Sequence, residues 1–261
     1  MAVLYDAVMK KAIILYAVFF FCHEFSLAQD AQIIEPSLME VSYHETFGKY
    51  SDDYALRIGK TTCQYFSYHS LRDDSLLSNK ETSMIILKEK LDEAYNRSDP
   101  SKQRASGPDH GDYLYKDFIH NVLTTYTSVM GEGYKVTEAV PEQKWTINTD
   151  SSKLILGYNC SLATTLFRGR EWKVWYTDEV SVSSGPWKLG GLPGLILSAS
   201  VDGYITIDAT AIKFASLTPV MFYNFYNKKY REIDREKFLK VKNNPSTYPQ
   251  KTIFIPQMEL E

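Results

Sequence analysis

The sequence predicts a β-rich α+β fold, in which a large antiparallel sheet packs on one main helix. Nineteen tyrosines and thirteen phenylalanines accompany Val, Ile and Thr in short runs, a composition typical of strands. About a dozen such runs are joined by short polar turns, and one stretch has clear helical spacing. Strands on both sides of that helix favour a sheet that curves around it.

The N-terminus has the pattern of a secretory signal peptide. Two lysines precede an apolar stretch over residues 12–21, and a small-x-small cleavage site ends at Ala28. This stretch is too short to span a membrane as a helix. We therefore expect residues 1–28 to be a signal peptide, with Met9 as an alternative start. Residues 29–261 would then form a single exported domain, in the periplasm or secreted.

Alternating apolar and polar residues predict three strands in the first part of the chain, after a frayed start over residues 29–37. These strands cover residues 38–44, 54–58 and 62–69. The main helix is predicted over residues 83–96, where apolar side chains recur at helical spacing.

The second part of the chain returns to the strand pattern. Strands are predicted over residues 113–119, 123–130, 134–140, 144–148, 153–158, 163–167, 171–177, 195–199 and 204–214. The aromatic run over residues 222–226 is expected to be an edge or loop on the sheet. A short helix over residues 235–241 follows, with Asp234 as its N-cap.

Residues 185–196, called here the Gly/Pro segment, combine backbone-special residues with large apolar ones. Its turn-forming residues include Gly185, Pro186, Gly191, Pro193 and Gly194. They indicate a turn that uses positive φ or close backbone approach, and burial of the large side chains would stabilise it against the core. We expect a buried corner between two strands. The alternative is a loop whose backbone approaches a ligand.

The hexapeptide from Gly191 to Ile196 resembles the signature of the GLPGLI family, a group of exported Bacteroidetes proteins of uncharacterised function. The upstream runs Cys160-Ser161-Leu162-Ala163-Thr164, Phe167-Arg168-Gly169-Arg170, Trp175-Tyr176-Thr177 and Gly185-Pro186-Trp187-Lys188 are similar to the rest of that signature. Leu162 stands where the family more usually has lysine. The resemblance implies export and provides no catalytic residues.

Four side chains near this motif are candidates for ligand binding. Arg168 and Arg170 flank a turn glycine, where two guanidinium groups can hold a carboxylate or phosphate; salt bridges are the alternative. Trp175 and Trp187 crowd the same region and predict either an aromatic groove or core packing.

Two cysteines remain after removal of the signal peptide. Cys63 and Cys160 can form a disulfide in an oxidising compartment. The alternative is two separate buried thiols.

The sequence argues against several classes of function. A net charge of −3 argues against a nucleic-acid surface. Motifs for zinc hydrolysis, serine hydrolysis, phosphate loops and dinucleotides are absent from the sequence, so no cofactor or metal is expected and no catalytic residue is assigned. No apolar run after the signal peptide is long enough for a transmembrane helix, so an integral membrane protein is not expected.

These observations favour a non-enzymatic envelope protein that carries an apolar ligand, such as a lipid, in a concave sheet. By analogy of fold alone, this is similar to the half-barrel of periplasmic lipoprotein carriers. One alternative is an envelope hydrolase with a site near Arg168 and Arg170, and another is an assembly partner of outer-membrane proteins. An apolar cavity would support the carrier, and converging titratable groups would support the hydrolase. An exposed apolar patch would support the assembly partner.

Overall fold

The computed structural model describes residues 31–48, 50–95, 110–248 and 257–260. The predicted signal peptide lies outside these residues. In chain order the strands are β1 (Ala31–Glu35), β2 (Met39–Phe47), β3 (Tyr50–Ile58), β4 (Thr62–Ser67), β5 (Tyr113–Asp117), β6 (Val122–Val129), β7 (Glu132–Ala139), β8 (Thr146–Ile155), β9 (Tyr158–Phe167), β10 (Arg170–Thr177), β11 (Leu195–Val201), β12 (Ile205–Lys213), β13 (Val220–Tyr223) and β14 (Tyr230–Asp234). The helices are α1 (Tyr68–Ser78), α2 (Ser83–Tyr95) and α3 (Arg235–Lys242).

Twelve strands form one open sheet in the order β14-β7-β6-β5-β4-β3-β2-β12-β11-β10-β9-β8. Every neighbouring pair is antiparallel except β14 and β7, which run parallel. Sequential strands are hydrogen-bonded neighbours through most of the sheet, as short turns require. The predicted β-rich fold with a large sheet is confirmed.

The sheet curves, so that strands far apart in its order contact the same segment of chain. The Gly/Pro segment lies on the concave face, where the Tyr43 hydroxyl of β2 donates to the Ile196 carbonyl at 2.7 Å. On β5 the Lys116 ammonium donates to the Leu189 carbonyl of the same segment at 2.6 Å, and on β4 the Cys63 thiol lies 3.7 Å from the hydroxyl of Ser184, which immediately precedes it. Alternate residues of the strands join this segment in the main hydrophobic core, as strand periodicity requires.

The convex face of the central strands is also covered. β1 and β13 form a separate antiparallel pair, and Tyr223 of β13 packs with Phe66 and Tyr113 in a second apolar cluster. Beneath them Arg57 forms a buried ion pair with Glu40 at 2.8 Å. The prediction of a frayed N-terminal stretch is wrong for β1, which forms a two-stranded sheet with β13.

The helices α1 and α2 pack together beside the sheet, and α3 packs on β7 and β14. α1 contacts β3 and β4, and α2 contacts α1. The predicted helix is confirmed at α2, where Ile86 is buried but Met84 and Leu91 are more than half exposed. The sequence predicts no helix at α1, because its eleven residues are mostly polar and its hydrophobic pattern is weak.

One further difference concerns a strand boundary. Residues 144–148 and 153–158 predict two strands, but β8 is one strand with a break in register between Asn148 and Ser152. At the other end of the chain, Asp234 caps α3 as predicted, since its carboxylate accepts from the Lys237 amide at 2.9 Å. Among the described residues, no helix is both long and apolar enough to cross a membrane.

Candidate functional site

The Gly/Pro segment forms one wall of a cleft at one end of the concave face. Trp187, Leu189 and Leu192 of this segment are buried in the main core. Its backbone is turned by Gly191, whose φ of +83° favours glycine. The segment is therefore a buried corner that also presents polar backbone to the cleft.

Side chains from the chain between β7 and β8 hold this backbone in place. Gln143 donates to the Lys188 carbonyl at 2.9 Å and accepts from the Gly190 amide at 3.0 Å. The Trp145 indole donates to the Gly190 carbonyl at 2.8 Å. Because these contacts satisfy backbone groups of an irregular turn, they fix the wall of the cleft.

The cleft has a volume of about 970 Å³. It opens between the wall just described and the strand ends that carry Leu38, Ile58 and Phe118. The polar residues that line it are Lys60, Lys116, Asn121, Glu142, Gln143, Ser181, Ser183 and Lys188. Leu38, Phe118 and Phe214 are exposed apolar side chains at this cleft. A cavity of this size with a mixed lining can accept a ligand that has both polar and apolar faces.

Lys116 of β5 enters this cleft from the sheet. Its residue is 5% exposed, and its Nζ donates to the Leu189 carbonyl at 2.6 Å. Burial lowers the pKa of Lys116; the neighbouring Cys63 opposes this shift and Lys188 adds to it. Lysine side chains are rarely buried without a counterion, so this position is a candidate for function.

A cluster of five charged side chains lies next to the cleft and joins distant parts of the chain. Lys188 pairs with Glu138 at 2.9 Å and also with Glu259. Arg168 pairs with Glu138, and Arg235 pairs with Glu259 at 2.5 Å. All five side chains are between 8% and 17% exposed. We call this group the charge cluster.

The structure places the two predicted arginines in internal contacts. Arg168 belongs to the charge cluster, while the Arg170 guanidinium donates to the Met258 carbonyl at 3.0 Å and to the Gln257 carbonyl. Arg170 also lies 3.6 Å from the centre of the Tyr204 ring. Both guanidinium groups therefore bind carboxylates or carbonyls of the chain itself.

The two predicted tryptophans do not meet in a groove. Trp187 is 2% exposed and stacks on Trp172, with ring centres 5.5 Å apart. Trp175 is partly buried on β10, where the Lys153 ammonium lies 5.9 Å from its ring centre. Core packing thus accounts for Trp187.

Cys63 and Cys160 are both buried and both free. The disulfide proposed between them is therefore not formed in this structure. The Cys63 thiol faces Lys116 and Ser184 at the base of the cleft, and burial raises its pKa. Such a thiol is a weak nucleophile.

A second polar cluster lies at the opposite end of β3 from the cleft. The buried Asp52 carboxylate accepts from His69 at 2.5 Å and from His110 at 2.8 Å. Burial alone raises the pKa of Asp52, but hydrogen bonds from His110, His69 and Ser67 outweigh burial and hold it below its ordinary value. Among the described residues, no group of three His, Cys, Asp or Glu side chains is arranged to hold a metal ion.

Comparison with known proteins supports a different relationship from the one the sequence motif suggests. A family model described as the N-terminal domain of an N-glycanase peptide matches residues 120–238, which is less than half of the chain. No curated protein matches the sequence.

Two solved structures of PNGF-II, in space groups C2 and P21, are similar to this chain in fold. They share 18% and 17% sequence identity with it, at TM-scores of 0.50 and 0.51. The alignments cover 77% and 78% of this chain but 32% and 33% of the PNGF-II chains. The chain thus spans about a third of the length of the solved chains that it matches.

These findings correct the interpretation drawn from the motif. The match is to the N-terminal domain of an N-glycanase, and no comparison supports the GLPGLI family or a Bacteroidetes family of that kind. The hypotheses of an apolar-ligand carrier, an envelope hydrolase and an outer-membrane assembly partner are overturned with it. The hexapeptide itself serves the fold, because it turns the chain on the concave face.

Proposed function

We propose that this chain is a ligand-binding domain that recognises the glycan of a glycoprotein or glycopeptide in the cleft. The observation that carries the proposal is the cleft itself, with its polar wall and exposed aromatic side chains. The matched domain belongs to an N-glycanase. A domain that accompanies such an enzyme would assist it by binding the same class of ligand, a protein-linked glycan. The predicted export of the chain would place it where glycoproteins are encountered.

The lining of the cleft suits a carbohydrate. Sugars present hydroxyl groups at their edges and C–H groups on their faces. The former would pair with the serines at positions 181 and 183, while the latter would pack on Phe118 and Phe214. Phe118 is 42% exposed and Phe214 is 59% exposed, so both rings are available to a ligand.

Calorimetry with a glycopeptide carrying one neutral N-glycan tests the proposal. We expect the glycopeptide to bind and the same peptide without its glycan to bind at least about tenfold more weakly. Replacing both rings in F118S/F214S should weaken glycopeptide binding by about tenfold, because the stacking surface is lost. The matched control is Leu166→Ser, which removes a side chain that is 72% exposed on β9 and does not line the cleft. Equal binding of the two peptides, or an equal effect of the control, contradicts the proposal.

A further inference from the structure

Lys116 occupies an unusual position for a lysine. It lies on β5 directly opposite Cys63 of β4 and Leu123 of β6, in the interior of the sheet. Its side chain points to the concave face, which is otherwise lined by apolar residues of the main core. The residue still lines the cleft, so its ammonium is the charged group at the base of that cleft.

The hydrogen bonds of this ammonium are incomplete. A lysine ammonium has three N–H donors, and one of them is used by the Leu189 carbonyl. Within the part of the chain that the structure describes, no carboxylate pairs with Lys116. Two donors therefore remain for a group that enters the cleft.

The second buried lysine of the cleft, Lys188, differs from Lys116 because it has carboxylate partners. Lys188 is 7% exposed, but Glu138 and Glu259 both pair with its Nζ. Its charge is thus compensated by the protein. Lys116 has Cys63 and Ser184 as its polar neighbours instead, and neither supplies a carboxylate.

Glycine at position 190 leaves room around the Lys116 ammonium. A Cβ at Gly190 would lie 3.8 Å from the Lys116 Nζ, so any larger side chain would fill the space next to it. The charged residues that line the cleft are Lys60, Lys116, Lys188 and Glu142. Because Glu138 and Glu259 compensate Lys188, Lys60 and Lys116 remain against Glu142, and this balance favours a negatively charged ligand.

We propose that Lys116 is an anion-binding subsite of the cleft, which takes the carboxylate of an acidic sugar. A carboxylate has two oxygens that can accept from the two remaining N–H donors. It would also supply the counterion that the buried ammonium lacks. This inference rests on the proposed glycan-binding function and specifies which glycans are bound most tightly.

The test compares one glycopeptide in two forms, with terminal sialic acids and after their removal by a sialidase. We expect the wild-type chain to bind the acidic form about tenfold more tightly than the neutral form. Lys116→Met keeps the length and volume of the side chain and removes the charge. It should abolish this preference, so that the acidic and the neutral form bind with equal affinity.

Two controls make the outcome interpretable. Lys60→Met removes an exposed cleft lysine and should keep the preference within about twofold. The thermal midpoint of Lys116→Met without ligand should be at least that of the wild type, since an uncompensated buried charge has been removed; a folded variant is therefore expected.

The possible failures are distinguishable. Binding of the neutral form with no preference for the acidic form, or an unchanged preference in Lys116→Met, overturns the subsite and leaves the proposed function in place. Binding of neither form overturns the proposed function, and the subsite with it.

Discussion

Gly194 has no space for a side chain. A Cβ at this position would overlap the Thr177 carbonyl and approach the Cα of Asp178 at 2.9 Å. Its φ is not among the positive values, so glycine is required here for close approach of two backbones. Gly185 is similar, because a Cβ there would lie 2.8 Å from the Cβ of Ile196.

Gly194→Ala should therefore destabilise the fold by about 3 kcal/mol, because Thr177 and its neighbours must move. Urea denaturation measures this difference. Gly203→Ala is the matched control: its φ of +68° is also unfavourable for alanine, but nothing lies within 4 Å of the new Cβ. It should cost about 1 kcal/mol. If Gly194→Ala loses no more free energy of unfolding than Gly203→Ala, the space for a Cβ at Gly194 is not limiting.

The residues of the candidate site could be predicted from the sequence only in part. The Gly/Pro composition indicates a packed turn, and the structure has one. Lys116 gives no comparable signal, since a lysine in a strand pattern normally indicates the solvent-facing side. Its burial depends on which face of β5 meets a segment about seventy residues away, and no local pattern contains that information.

The elements α1 and β3 are connected by Asp52. Asp52 lies on β3, His69 lies in the first turn of α1, and His110 lies just before β5. The Ser67 hydroxyl caps α1 by accepting from the Ser70 amide at 3.1 Å. The carboxylate thus fixes the helix to the end of the strand.

Asp52→Asn should destabilise the protein by about 2 kcal/mol at pH 7, because a buried charged acceptor loses its charge-assisted hydrogen bonds. The folded-state pKa of Asp52 lies below its ordinary value of 3.8. Its stabilising contribution is therefore fully present above the unfolded pKa and is lost as the pH falls through the folded pKa.

Denaturation of the wild type and of Asp52→Asn between pH 7 and pH 2 checks this direction. The difference in their free energies of unfolding should shrink below about pH 4. Asp53→Asn is the control. Asp53 is 55% exposed and pairs with His44, so its loss should cost at most about 1 kcal/mol. A difference between wild type and Asp52→Asn that grows as the pH falls would contradict the assignment.

At the scale of elements, local periodicity was sufficient for most strands and for α2. Local periodicity was insufficient for segments whose structure is determined by contacts with other parts of the chain. β1 is a strand because β13 pairs with it almost two hundred residues later. α1 is a helix although its sequence is mostly polar, because Ser67 caps it and Asp52 holds it. Propensity alone is a weak guide in such segments.

At the scale of the whole molecule, side chains from the two ends of the open sheet contact each other. β7 lies next to one end and the turn between β9 and β10 lies near the other, yet Glu138 and Arg168 form an ion pair across this distance. Glu259 adds Lys188 and Arg235 to the same charge cluster. Burial raises the pKa of Glu259, but Lys188 and Arg235 outweigh it and lower the pKa overall.

Glu259→Gln should therefore destabilise the protein by about 3 kcal/mol, since Lys188 and Arg235 would lose a buried carboxylate that pairs with both of them. Chemical denaturation measures the loss. Glu232→Gln removes an exposed carboxylate that pairs with Lys135, and it should cost much less, because solvent screens this surface pair. If the two variants lose the same free energy of unfolding, Glu259 in the charge cluster contributes no more to stability than a carboxylate in a surface ion pair.

The position of the Gly/Pro segment on the concave face also has a consequence for the order of folding. Its contacts join residues 153 and 73 positions apart in the chain. Contacts between such distant residues form slowly, because long loops must be closed first. We expect the strand hairpins to form early and the interior of the curve to be completed last. Pulse-labelling hydrogen exchange during refolding would then show the Leu189 and Gly190 amides gaining protection after those of the β2–β3 hairpin.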